Sequence, residues 1–188
     1  MVKNDRCRYV AFLRDINVGG HALIKMADLK EAFEETGARN VRTVLASGNV
    51  VFESGQGDKK ALNDEIESGL EKKFNKSIDV ILRTLDDLEN LRLSDPFKGF
   101  RLTPAIRLYV TFLPDKAKAP AIAIPYATPQ KELRILRASA TEVCSVLDLA
   151  KGKGTPEAMA ILEREFGPGL TTRNWNTVLK VLMGSRWI

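Results

Sequence analysis

The order in which apolar periodicity changes along residues 8–82 constrains this chain more than any other feature. Arg8 to Arg14 reads as a strand, with Tyr9, Ala11 and Leu13 on one face and Val10 and Phe12 on the other. Apolar residues on both faces call for cover on both sides. A helix follows near Asp28 to Thr36, with Met26, Leu29 and Phe33 inward and Gly37 as its stop. Val41 to Ala46 and Val50 to Glu53 read as two strands, with Ser47-Gly48-Asn49 as the hairpin turn between them. A second helix over Lys59 to Asn75 spaces Leu62, Ile66, Leu70 and Phe74 at i, i+4, i+8 and i+12. Ile78, Val80 and Leu82 alternate as a closing strand. The order β-α-β-β-α-β is that of a ferredoxin-like, or split-βαβ, unit, and it makes the fold class α+β.

The second half predicts a smaller α+β domain. Leu85 to Leu91 reads as a short helix, and Asp95-Pro96 and Pro104 punctuate the chain. A boundary near Ser94 to Phe100 gives domains of residues 1–95 and 96–188. Ile106, Leu108, Val110 and Phe112 alternate as a strand. Lys116 to Pro129 is rich in Ala and Pro and reads as a loop with one short extended piece at most. Glu132 to Ala138 and Glu142 to Leu147 read as a hairpin. Thr155 suits an N-cap, Pro156 the first helical position, and Ala158 to Phe166 continues that helix up to Gly167-Pro168-Gly169. The spacing predicts a last helix over Thr172 to Met183.

Charge separates the halves. Residues 1–95 carry 15 Lys/Arg against 17 Asp/Glu, a net of −2, and residues 96–188 carry 14 against 7, a net of +7. A basic half fits an anionic partner, and it equally fits solubility alone. No apolar run approaches the roughly 20 residues that span a bilayer, so no membrane partner is expected. The opening M-V-K-N-D-R-C-R lacks the apolar core of a signal peptide, which points to a cytoplasmic protein. Cys7 and Cys144 form no C-x-x-C and read as reduced thiols. One histidine excludes a multi-histidine metal site, and neither metal nor cofactor is expected.

Three stretches put amides, glycines and bases where a polar pocket would be built: L-R-D-I-N-V-G-G at Leu13 to Gly20, S-G-N-V-V-F at Ser47 to Phe52, and T-T-R-N-W-N-T at Thr171 to Thr177. In the first, Gly19-Gly20 frees a loop after a strand, where N–H groups can meet an anion, with Arg14 and Lys25 flanking it. The same residues also suit a plain turn with Asn17 as its cap. Neither G-x-x-x-x-G-K-[ST] nor G-x-G-x-x-G occurs, so no nucleotide motif supports the loop. In the third, a helical reading puts Trp175, Val178, Leu179 and Leu182 on an apolar stripe. Arg173, Asn176, Thr177 and Lys180 then share the opposite face. Arg in a first turn can hold a carboxylate or phosphate in two bonds; tethering of the helix is the competing reading. Lys151-Gly152-Lys153-Gly154-Thr155 reads as a basic surface turn that could also cradle a phosphate. His21 beside the glycines is a candidate base or a bystander, and no nucleophile or acid is spaced to complete a triad.

On these three motifs the whole chain resembles the bacterial family called domain of unknown function 1697. Its members open with L-R-G-I-N-V-G-G, continue through S-G-N-V-x-F and close with R-N-W-N. This chain carries Leu13, Arg14, Ile16 to Gly20, Ser47 to Val50, Phe52 and Arg173 to Asn176 in that order. It departs at Asp15, where the family has glycine, which sets an extra carboxylate beside the loop. The resemblance implies an α+β, ferredoxin-like architecture and a bacterial cytosolic setting, and it carries no activity.

The resulting expectation is a small anionic ligand bound in a polar inter-domain pocket. Its candidate ligand-binding residues are Arg14, Asn17, Gly19, Gly20, Lys25, Ser47, Asn49, Arg173, Asn174 and Asn176. Strand or helix ends marked by polar groups are where ligands often bind. One alternative is nucleic-acid binding through the basic half, although Tyr9 and Phe12 fall on opposite faces and Phe52 stands alone, without the paired aromatics that stack bases. The other is a structural or interaction domain with no ligand. No residue is assigned a catalytic role, and enzyme status and oligomeric state stay open.

Overall fold

The computed structural model describes residues 6–17, 23–151 and 154–184. Among these are five helices and two antiparallel sheets, a mixed α/β architecture. The chain divides into two units: Met1–Asn90 with Leu179–Ile188, and Leu91–Val178. No helix of the described residues is long and apolar enough to cross a membrane.

The first unit runs β1 (Cys7–Leu13), α1 (Met26–Glu35), β2 (Arg39–Thr43), β3 (Asn49–Ser54), α2 (Lys59–Phe74) and β4 (Val80–Thr84). Its sheet has the order β2-β3-β1-β4, and every neighbouring pair is antiparallel. Tyr9, Ala11 and Leu13 of β1 share a core with Leu29 and Phe33 of α1 and with Leu62, Ile66 and Leu70 of α2. Phe52 does not stand alone: Tyr9 stacks on it at 5.8 Å and Phe33 meets it edge-on at 5.3 Å. Val10, Phe12 and Val51, on the opposite face, are buried as well. Each such side chain contributes about 1.5–3 kcal/mol by leaving water, so both faces hold the sheet in place.

Local chemistry sets the helix ends. The Asp58 carboxylate caps α2 by accepting from the N–H groups of Lys60 at 2.9 Å and Ala61 at 3.2 Å. Thr84 and Asp87 cap α3 (Leu85–Leu93) reciprocally: Asp87 N–H donates to Thr84 Oγ1 at 3.1 Å, and Thr84 N–H donates to Asp87 Oδ2 at 2.9 Å. Lys73 ties α2 to α1 through Glu31 and Glu35, at 2.9 and 2.6 Å.

The second unit contains β5 (Ile106–Phe112), β6 (Tyr126–Ala127), β7 (Leu133–Ala138), β8 (Glu142–Asp148), α4 (Thr155–Phe166) and β9 (Thr171–Asn174), in the sheet order β6-β7-β8-β5-β9. Helix α4 lays Ala158, Leu162 and Phe166 on Tyr109, Ile135, Val143 and Leu147. Its cap position falls on Gly154 rather than Thr155, which is already helical.

The largest departure from expectation lies at the C-terminal motif. Thr171 to Asn174 is not the first turn of a helix but the strand β9, paired with β5, and α5 (Trp175–Gly184) begins only after it. The Thr172 and Thr111 hydroxyls, on directly opposed residues, lie 2.8 Å apart. Such a cross-strand pair favours pairing over helix in a stretch of β-branched residues.

Candidate functional site

The first two motifs meet at one end of the first sheet. Leu13 N–H donates to Gly48 O at 2.8 Å, joining the end of β1 to the β2–β3 turn. That turn covers residues 44–48, not Ser47–Asn49, because Asn49 already belongs to β3 opposite Phe12. Val44 N–H donates to Asn49 O at 2.8 Å, and the Asn49 side-chain amide donates to Val44 O at 2.8 Å and Ser47 Oγ at 3.1 Å. Asn49 is buried. Its amide therefore closes the turn.

Asn17 has a parallel role. Its amide nitrogen donates to Ile24 O at 3.1 Å and Ala46 O at 3.0 Å, and its Oδ1 accepts from Ile24 N–H at 2.7 Å. One side chain thus clamps the two ends of the loop after β1 and binds that loop to the β2–β3 turn. Ile16 completes the assembly. A Cβ placed on Gly48 would lie 2.7 Å from Ile16 Cδ1, so Ile16 would have to shift to admit any larger residue.

The backbone here is unusual. Asp15, Asn17 and Leu45 have φ of 47°, 57° and 61°. Asn and Asp adopt this left-handed region fairly readily, whereas a leucine there is an outlier costing about 1–2 kcal/mol. Arg14 directly precedes Asp15, and its N–H donates to Asp79 O at 2.9 Å. Its guanidinium pairs with Asp15 at 3.2 Å and Asp79 at 3.6 Å, and its side chain is 29% exposed. Lys25 is exposed at the start of α1 and caps it with backbone only. Gly19, Gly20 and His21 lie outside the described residues.

The third motif is arranged differently from expectation. Arg173 sits on β9 opposite Val110, not on a helix face with Asn176, Thr177 and Lys180. It is buried, and its Nη1 donates to Thr171 Oγ1 at 2.8 Å and Thr172 O at 3.0 Å. Asn174 and Asn176 are exposed, Asn176 in the first turn of α5. In the basic glycine turn, Lys151 pairs with Asp148 at 3.7 Å, while Gly152 and Lys153 lie outside the described residues.

Two groups escaped sequence reading. Asp79 reaches Arg14 only because β4 lies beside β1. Arg83, opposite Val10, is buried with its Nη1 donating to Leu82 O at 2.7 Å; I-L-R-T carries no local sign of that. Burial pushes the Cys144 thiol up to about 12, an effect that nearby Arg137 partly opposes. No cluster of three or more His, Cys, Asp or Glu among the described residues could hold a metal ion.

No curated protein matches the sequence. Among solved structures, the chain is similar to the conserved bacterial protein SP0830 from Streptococcus pneumoniae, with a TM-score of 0.74 and 20% identity, over 97% of this chain and 99% of that one. At that identity the likeness concerns the fold. The profile of a family described as "Protein of unknown function (DUF1697)" matches residues 7–142. The chain therefore belongs to the DUF1697 family.

Proposed function

We propose that the end of the first sheet formed by Arg14, Lys25 and the β2–β3 turn binds a small anionic molecule. The observation that carries this reading is the gathering of left-handed, non-glycine residues (Asp15, Asn17 and Leu45) at the sheet end that carries Arg14. Strain of this kind persists only where the surroundings over-determine it, and it gathers at ligand clamps. In this reading Asn17, Ser47 and Asn49 position the backbone, and Arg14 and Lys25 supply charge. Asp15 and Asp79 hold Arg14 through side chains 74% and 64% exposed, so their attraction is weak and an incoming anion can displace it.

The test is a thermal-shift titration with inorganic phosphate, pyrophosphate, nucleotides and dicarboxylates, repeated for Arg14→Ala and Arg14→Ala/Lys25→Ala. A ligand of the folded state raises the midpoint by mass action. A rise with one anion that the double variant abolishes supports the site. No rise with any of them, or a rise unchanged in the double variant, ends the reading.

We also propose that the first unit is ferredoxin-like. Its element order and its antiparallel sheet order β2-β3-β1-β4 support this. Two free cysteines favour a reducing, cytoplasmic setting. Nucleic-acid binding draws no support from the first sheet, since Tyr9 and Phe52 are both buried in its core.

A further inference from the structure

The second unit holds a cleft of about 850 Å³ lined by the start of β7, the end of β8 and one side of α4. Leu133 and Leu147, directly opposed across β7 and β8, form its floor, and Ala158 and Ile161 of α4 form a wall. The volume falls within the range of small-molecule sites, and the lining is predominantly apolar, as such sites are.

The charges around the cleft are not balanced. Its two described cations are already engaged: Lys151 lies 3.7 Å from the Asp148 carboxylate, and Arg164 Nε lies 2.9 Å from Glu165 Oε1. Glu157, in the first turn of α4, is favoured by the helix dipole. Glu132 has no such support. Its Oε2 is shielded from solvent and accepts no hydrogen bond. No cation among the described residues pairs with it. With that oxygen cut off from water and no cation beside the group, the carboxylate is short of partners, and a cation brought by a ligand to its other oxygen, which is not shielded in this way, would supply one.

We propose that this cleft binds an amphipathic amine, its apolar body on Leu133, Leu147 and Ile161 and its ammonium donating to Glu132. The cleft belongs to the second unit and takes a ligand of opposite charge to the one proposed at Arg14.

The probes are octylamine, octanol and octanoate, three molecules with a common chain and different heads, titrated into the intact protein by calorimetry at neutral pH. Octylammonium should bind one to one, at least tenfold tighter than octanol, with octanoate weakest. Glu132→Gln keeps the shape and should bring amine and alcohol to within about twofold of each other. Ile161→Arg should fill the cleft and abolish binding of both. Equal affinity for amine and alcohol, preference for octanoate, or no binding of octylamine would each overturn the proposal on the wild-type protein alone. Persistence of the amine preference in Glu132→Gln would overturn it as well.

Discussion

Gly48→Ala probes the junction of the first two motifs most directly. Gly48 has φ of +76°, and an added Cβ would lie 2.7 Å from both Cδ1 and Cγ1 of Ile16 and 3.0 Å from Leu13 Cβ. The left-handed backbone alone costs an alanine about 1–2 kcal/mol. The overlap adds about 1–3 kcal/mol, the usual range for overpacking, because Ile16 is buried and Leu13 is fixed at the end of β1. The expected total is about 2–5 kcal/mol, a substantial part of an ordinary domain's stability. Gly37 supplies the control. Its φ is +77°, yet nothing lies within 4 Å of its added Cβ. Gly37→Ala therefore carries the backbone component without the overlap. Urea unfolding followed by far-ultraviolet circular dichroism, with unchanged slopes, reads both values. Should Gly48→Ala destabilise no more than Gly37→Ala, within about 0.5 kcal/mol, the steric argument fails. Adding Ile16→Ala to Gly48→Ala should also destabilise by less than the sum of the single changes, since it removes the clashing atoms.

Asn49→Ala should lower stability by about 1 kcal/mol, because it removes the part-buried bond from the amide to Val44 O; a loss under about 0.5 kcal/mol in the same unfolding assay would argue that water replaces the amide. Asp58→Ala should remove about 1 kcal/mol through loss of the α2 cap, whereas Asp58→Asn retains an accepting oxygen and most of that stability. Cys144 should resist a thiol reagent in the native protein at pH 8 while exposed Cys7 reacts, and comparable rates would contradict the burial of Cys144. The fold favours its neutral thiol. With the pKa pushed from 9.0 to about 12, the contribution is complete below pH 9 and declines toward pH 12. Wild type should therefore lose stability relative to Cys144→Ala over that window, by up to roughly 4 kcal/mol. A difference that stays flat with pH would refute this.

Elements with long-period apolar spacing were readable from sequence. Leu62, Ile66 and Leu70 place α2 to within a residue, and alternation from Ile106 to Phe112 marks β5. Strand β9 was not readable. Its four residues lack an alternating apolar pattern, and their conformation depends on a partner about sixty positions earlier in the chain, where Thr111 opposes Thr172. The motif asparagines were recognisable as important, but the groups they bond were not. Amides that contact a ligand and amides that satisfy backbone look alike in sequence, and the bonds of Asn17 to Ile24 and Ala46 emerge only once the chain has folded. Glu132 gave no signal at all, since a shielded, partnerless oxygen is a property of packing.

The borders of the first sheet bear on how the protein behaves when concentrated. Its outermost strands are β2 and β4. Strand β2 breaks register between Arg39 and Arg42, with Asn40 at φ 53° and its side chain on Glu53. Strand β4 begins with the Val80 N–H already donating to Glu67 of α2 at 2.8 Å. An irregular, arginine-bearing rim on one side and an occupied amide on the other deny a neighbouring molecule the straight ladder that sheet extension requires. Aggregation of the folded protein through this sheet is thereby disfavoured, and fibrils, where they form, should need the unit to open first.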